Sequence, residues 1–159
     1  MSIAPTPPPE VRRLAEHDLD ALHALYAQLG LEGHDTPRAR LSETWARILA
    51  SELIVHLGAF IDGALASACH AVIVPNLTHG ARPYAVIENV VTDAAHRRRG
   101  LGELTMRSLI AHCWEAGCYK IMLASGFGRS GAHAFYDALG FDRTAKQSFV
   151  LKRPAEVRP

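Results

Sequence analysis

Apolar residues along the chain alternate between two spacings, and the change of period predicts the order of elements. After Asp18, a side chain suited to capping, Leu22, Leu25, Tyr26 and Leu29 fall at i, i+3, i+4 and i+7, and Gly30 supplies a stop. That is an amphipathic helix, preceded by a short strand over Glu10–Leu14. Thr36-Pro37 starts a second helix, with Leu41, Trp45, Ile48 and Leu49 as its apolar stripe. The period then shortens: Leu53–Phe60 and Ala64–Val74 read as two strands around Ile61-Asp62-Gly63, and Asp-Gly is a strong hairpin signal. Turn-forming residues fill Pro75–Pro83, and the β-branched run Tyr84–Thr92 predicts a third long strand. Met106, Leu109, Ile110, Cys113 and Trp114 return to helical spacing up to Gly117, followed by a short strand over Lys120–Ala124. Ala132, Phe135, Tyr136 and Leu139 make a last helical stripe closed by Gly140, and Gln147–Lys152 predicts a final strand. Helices, a run of hairpin strands, then strand–helix–strand–helix–strand imply an α/β fold with helices packed on a mixed sheet.

Composition narrows the classes. The length of 159 residues fits one domain over 10–153, with a proline-rich tail at 1–9 and a short tail at 154–159. Seventeen Lys+Arg against sixteen Asp+Glu leave a formal charge of +1, so no global field draws the chain to nucleic acid or an anionic membrane. No apolar run reaches the roughly 18 residues of a membrane helix, and the first residues have neither the basic start nor the apolar stretch of a signal peptide. Cys69, Cys113 and Cys118 are odd in number and form no C-x-x-C pair, which argues against a disulfide scaffold or structural zinc. The expectation is a reduced, cytoplasmic protein. The nine histidines are scattered with no i, i+4 zinc pair, so no metal is expected, and His70 and His133 read as packed or surface residues.

The chemistry concentrates in Val90-Val91-Thr92-Asp93-Ala94-Ala95-His96-Arg97-Arg98-Arg99-Gly100-Leu101-Gly102-Glu103, where a strand ends, a basic turn follows and a helix begins between two glycines. Unpaired N–H groups at a helix start carry the positive end of the dipole, and glycines let a ligand approach the backbone. With three arginines alongside, the stretch suits a polyphosphate. Gly126-Phe127-Gly128-Arg129-Ser130-Gly131 spells G-x-G-x-x-G, but no acid lies about 20 residues on to hold a ribose, and Ala132 stands where a P-loop needs lysine.

Arg97-x-x-Gly100-x-Gly102 after Glu88-Asn89-Val90-Val91, together with Ala132-His133-Ala134-Phe135-Tyr136-Asp137-Ala138-Leu139-Gly140-Phe141, strongly resembles the GNAT superfamily of N-acetyltransferases. The resemblance runs from the Asp18 helix to about Lys152. It implies a single-domain, mostly antiparallel mixed sheet, splayed between the central strands Tyr84–Thr92 and Lys120–Ala124, with helices on both faces. It also implies acetyl-CoA as cosubstrate, its pyrophosphate held by backbone N–H groups of Arg97, Arg98, Arg99, Gly100, Leu101, Gly102 and Glu103. Val90, Val91 and Thr92 would then offer main-chain bonds to the pantetheine arm, as in peptide augmentation of a sheet edge. Where many relatives carry asparagine this chain has Arg129, which suits a phosphate or a carbonyl, so the asparagine's role does not carry over.

The implied reaction is attack of an amine on a thioester. An amine of pKa about 10.4 is neutral roughly once in 10³ molecules at pH 7, so a base must accept a proton and an acid must protonate the departing thiolate. Tyr136 resembles the family's general acid; the competing reading is a core tyrosine, because it lies on the stripe with Ala132, Phe135 and Leu139. Glu88 interrupts an apolar strand and is the candidate base, acting directly or through water; the competing reading is a structural carboxylate holding Asn89 or an arginine. Asn76, His79 and Asn89 are candidate acceptor contacts. The expected function is N-acetylation of a primary amine on a small molecule or protein in a ternary complex; a non-catalytic acyl-CoA-binding domain is the alternative. A homodimer is plausible from relatives. The acceptor itself is not legible.

Overall fold

The computed structural model describes residues 8–31 and 35–154. The expected tails therefore fall largely outside the described residues, as does part of the connection after Gly30. The chain divides into two compact units, Met1–Leu123 and Ala124–Pro159.

The first unit carries a five-stranded sheet in the order β1 (Glu10–Arg13), β2 (Ile54–Ile61), β3 (Ala64–Val74), β4 (Tyr84–Thr92), β5 (Ile121–Leu123). The first three neighbours pair antiparallel and β4–β5 is parallel. The Asp62-Gly63 turn is as the sequence predicts: both residues have positive φ (49° and 79°), the two-residue hairpin geometry that matches strand twist. Helices α1 (Leu19–Ala27) and α2 (Arg38–Leu49) cover one face, where Leu22, Leu25 and Trp45 pack with Ala68 and Val91. Helix α4 (Leu101–Glu115) covers the other, with Leu101 against Ala59 and Ala66. Met106, Leu109 and Cys113 are fully buried, which contributes roughly 2 kcal/mol for each large side chain. A single turn, α3 (Thr78–Ala81), interrupts the β3–β4 connection. No described helix is long and apolar enough to cross a membrane.

Asp18 departs from its expected capping role. Its carboxylate is buried and accepts from Arg12 at 2.7 and 2.9 Å and from the Ala15 N–H at 2.7 Å, making no side-chain cap on α1. Arg12 holds its pKa below the usual carboxylate range.

The second unit contains α5 (Ser130–Ala138). The strand expected over Gln147–Lys152 does not form: no ladder bonds are made there, and Phe149, Val150 and Leu151 are exposed. β propensity alone does not make a strand, because its backbone groups need an edge to bond.

Candidate functional site

The site is built outward from β4. At its centre lies a bulge: Ala68 pairs with Val91 and His70 with Glu88, so Cys69 faces two residues, Asn89 and Val90. Asn89 takes a left-handed φ of 51° to make room. On the other side, β5 pairs only with Ala85, Val86 and Ile87. Beyond Ile87 the β4 edge therefore runs free of β5.

Main-chain direction sorts the residues on that edge. The Val91 carbonyl accepts from the Ser67 hydroxyl at 3.0 Å, and the Asp93 N–H donates to Ala66 at 2.8 Å, so both turn toward β3. Successive residues alternate, which turns Val90 and Thr92 outward. Val91 is thus not a main-chain partner for the open edge; its side chain is buried in the core instead. The Thr92 carbonyl accepts from Arg97 Nε at 3.1 Å, which folds that arginine back over the strand end.

After Thr92 the chain enters a 3-10 turn, Ala94–His96, tied by Asp93. The Asp93 carboxylate accepts from the Ala95 N–H at 2.9 Å, sits 3.1 Å from His96 Nδ1, and accepts from Gln28 Nε2 at 2.7 Å. Gln28 Oε1 in turn accepts from the Ala94 N–H at 2.8 Å. Gln28 follows the last residue of α1, so the end of that helix is clasped to the loop by two reciprocal bonds. These bonds, Gln28 first, lower the Asp93 pKa. No sequence pattern marks Gln28, because its partner is remote along the chain.

Arg98 (φ 60°) and Gly100 (φ 80°) then turn the exposed backbone into α4. No side chain caps this fifteen-residue helix. Glu103, in its first turn, pairs with Arg107 at 2.8 Å rather than with the backbone. The first N–H groups are consequently open, and nothing lies within 4 Å of a Cβ placed at Gly100. Leu101, buried, and the Thr105 hydroxyl, donating to the Leu101 carbonyl at 2.8 Å, hold the helix start rigid behind this opening. An uncapped, anchored helix start beside Arg97, Arg98, Arg99 and Gly102 fits an anionic diphosphate.

On the α1–α2 face of the sheet, Glu88, His70 and His56 stand side by side on β4, β3 and β2. The two imidazoles stack at 4.4 Å, and Trp45 meets His56 edge-on at 5.1 Å. Burial, and then the neighbouring His70, lower the His56 pKa to about 3; burial lowers that of His70. Both Nδ1 atoms are buried without a hydrogen-bond partner, as is the Tyr26 hydroxyl. Burial raises the pKa of that phenol; Asn89 draws it back down in part without reaching hydrogen-bond geometry. Glu88 is exposed and has no ion pair or hydrogen bond among the described residues, so neither Asn89 nor an arginine holds it.

Asn76 is spent on its own loop, donating to the Thr78 hydroxyl at 2.8 Å and the Thr78 carbonyl at 3.2 Å. His79 stacks on Tyr119 with ring centres 3.9 Å apart. In the second unit, Arg129 precedes α5 without capping it, and the Tyr136 ring lies 5.4 Å from Phe135 and 6.1 Å from Phe141. The three thiols are buried, and burial raises their pKa values (Cys113 to about 12), which makes them core residues rather than nucleophiles. Among the described residues no group of three His, Cys, Asp or Glu is placed to hold a metal.

Comparison with known proteins bears on this arrangement. The profile of the acetyltransferase (GNAT) family matches residues 17–141. The glucosamine 6-phosphate N-acetyltransferase of Trypanosoma brucei brucei is 33% identical over 85 residues, 54% of this chain and 56% of the relative. Glucosamine 6-phosphate N-acetyltransferase 1 of Oryza sativa subsp. japonica is 34% identical over 104 residues, 65% of this chain and 61% of that one. The chain thus spans somewhat over half the length of these curated relatives. Among solved structures, a protein from Agrobacterium tumefaciens str. C58 matches with a TM-score of 0.86 and 35% identity, covering 91% of this chain and 99% of that one. A Trypanosoma brucei acetyltransferase matches with a TM-score of 0.76 and 27% identity over 91% of this chain and 100% of that one.

Proposed function

The chain belongs to the acetyltransferase (GNAT) family, and from that premise we propose that it transfers an acetyl group from acetyl-CoA to the primary amine of a small, amino-sugar-like acceptor. The observation that carries the reading is the uncapped start of α4 beside the free β4 edge. Open N–H groups and the arginines take the pyrophosphate; Val90 and Thr92 offer the outward main-chain groups that align the pantetheine arm. The acceptor class rests on the two curated relatives named for glucosamine 6-phosphate.

In this reading the thioester comes to rest near the Asn89 bulge, on the sheet face that presents Glu88. The acceptor arrives as an ammonium and must lose a proton before its nitrogen can attack. Glu88, exposed and without an ion pair among the described residues, accepts that proton through water. The nitrogen attacks the carbonyl carbon and sheds its second proton to solvent, the C–S bond breaks, and the thiolate takes a proton from the Tyr136 hydroxyl, which solvent replaces.

The test is release of free thiol from acetyl-CoA across a panel of amines that includes glucosamine 6-phosphate. Turnover is expected with at least one amine. Glu88→Gln and Tyr136→Phe are each expected to lower kcat about 10²-fold or more, with acetyl-CoA affinity and folding stability unchanged. Binding of acetyl-CoA without thiol release for any amine would overturn the reading; equal loss of stability and activity in Tyr136→Phe would return Tyr136 to the core.

A further inference from the structure

One phenol on the α1–α2 face of the sheet has no part in the transfer chemistry above. The Tyr26 ring packs against the cluster that holds Ala68, Val91 and Trp45. Its hydroxyl is buried and has no hydrogen-bond partner among the described residues. Burying a polar group unpaired costs its desolvation, and phenylalanine would fill the same space without that cost. The hydroxyl therefore returns nothing to the stability of the free chain.

Its place in the fold points to what it serves. Tyr26 lies in the last turn of α1, two residues before Gln28, whose bonds to Asp93 and Ala94 fix that end of the helix to the cofactor loop. The helix packs across β3 and β4, and the Ala68–Val91 pair in its cluster borders the β4 bulge. Asn89, in the bulge, acts on the phenol without completing a hydrogen bond to it. Its φ of 51° is itself a conformation that L side chains resist. Beyond Ile87 this part of β4 has no β5 partner. An unpaired hydroxyl, a strained asparagine and an open strand edge thus fall together. Local costs of this kind, gathered at one point, mark a place where a ligand completes the structure.

A phenol can act as acid, base or hydrogen-bond donor. Burial raises the Tyr26 pKa, which keeps the proton on its oxygen and leaves the donor role. Attack on a thioester needs such a donor: as the nitrogen bonds to carbon, the carbonyl π pair moves onto oxygen and negative charge builds there. A donor already held in place stabilises that charge without reorganising at the moment of reaction.

We propose that the Tyr26 hydroxyl donates a hydrogen bond to the thioester carbonyl oxygen and stabilises the oxyanion formed when the amine attacks. The proposal rests on the transferase reading and adds a catalytic residue to it. The Tyr26 O–H bond stays intact throughout: the electron pair that moved to oxygen returns to re-form the carbonyl, and the C–S bond breaks with its pair leaving on sulfur. Gln28 is then a positioning residue, holding the end of α1 and its phenol in register with the cofactor loop.

Tyr26→Phe removes the one oxygen and tests the assignment in three measurements. In urea unfolding of the free chain, the variant should be as stable as the unmodified chain or more so, since an unpaired buried hydroxyl is lost. In turnover, kcat should fall about 10²-fold while KM for acetyl-CoA stays within twofold. In carbon-13 NMR of acetyl-CoA labelled at the thioester carbonyl, the resonance should move downfield on binding to the unmodified chain, and move less on binding to the variant. Unchanged kcat, or the same bound resonance in both proteins, would overturn the proposal. A variant that lost stability together with activity would make the hydroxyl a structural group and overturn it as well. The resonance is read without an acceptor amine, so it is decided even for a chain that releases no thiol; that failure would belong to the transferase reading alone.

Discussion

Replacing His56 by phenylalanine should flatten the acid dependence of stability. His56 is 7% exposed, stacked on His70 and under the edge of Trp45, with Nδ1 unpartnered. Its pKa falls from the ordinary 6.5 to about 3 in the folded chain. Above pH 6.5 the residue is neutral folded or unfolded, and no penalty applies. Below pH 6.5 the unfolded chain takes up a proton that the folded chain refuses, so stability drops by about 1.4 kcal/mol per pH unit until the folded pKa is reached. From pH 7 to pH 5 the loss from His56 is about 2 kcal/mol, and the full loss by pH 3 is about 5 kcal/mol. Against a domain stability of roughly 5–15 kcal/mol this is a large share. His70, lowered in the same direction, adds to the slope and remains in the variant. The assay is urea unfolding of the free chain at pH 7 and pH 5, followed by the fluorescence of buried Trp45. The carboxylates are common to both proteins and cancel in the comparison. The unmodified chain should lose about 2 kcal/mol more than His56→Phe between the two pH values. Parallel losses would show that the imidazole reaches water, and the burial argument would fail.

Gln28→Ala removes the clasp between the end of α1 and the cofactor loop. Acetyl-CoA affinity should fall by up to about thirtyfold, since two hydrogen bonds near 1 kcal/mol each fix the loop; calorimetry showing unchanged affinity would deny the clasp a role. Gly100→Val places a β-branched side chain at φ 80° in front of the helix start. It should weaken acetyl-CoA binding by tenfold or more, and a variant that bound as well as the unmodified chain would move the diphosphate elsewhere.

The periodic parts of this fold are legible in the sequence. Gly30, Gly117 and Gly140 end helices with positive φ, as their positions after apolar stripes imply, and Asp62-Gly63 closes its hairpin. The stretch from Thr92 to Glu103 reads as strand, turn and helix start because glycine, charge and period all change within a few residues. What was not legible depends on how strands and loops come together in the fold. Asp18 looks like a cap, but Arg12 and the Ala15 N–H take its carboxylate once β1 is in place. The Asn89 bulge leaves no mark in a run of β-branched residues, yet it decides that Val90 rather than Val91 faces the open edge. Likewise, no single-strand pattern places His56 beside His70 and His70 beside Glu88; register does. Gln147–Lys152 has strand-like residues without strand bonds, a reminder that propensity describes the segment and pairing depends on its neighbours.

The diphosphate-binding role of the α4 start can be measured directly by titrating the purified chain with acetyl-CoA in a calorimeter and repeating the titration with pantetheine, which lacks the diphosphate. The account requires one saturable site of micromolar affinity for acetyl-CoA and binding at least 100-fold weaker for pantetheine, the loss of roughly 3 kcal/mol that several charge-assisted bonds supply. Equal affinity for the two ligands, or no heat with acetyl-CoA at millimolar concentration, would contradict it.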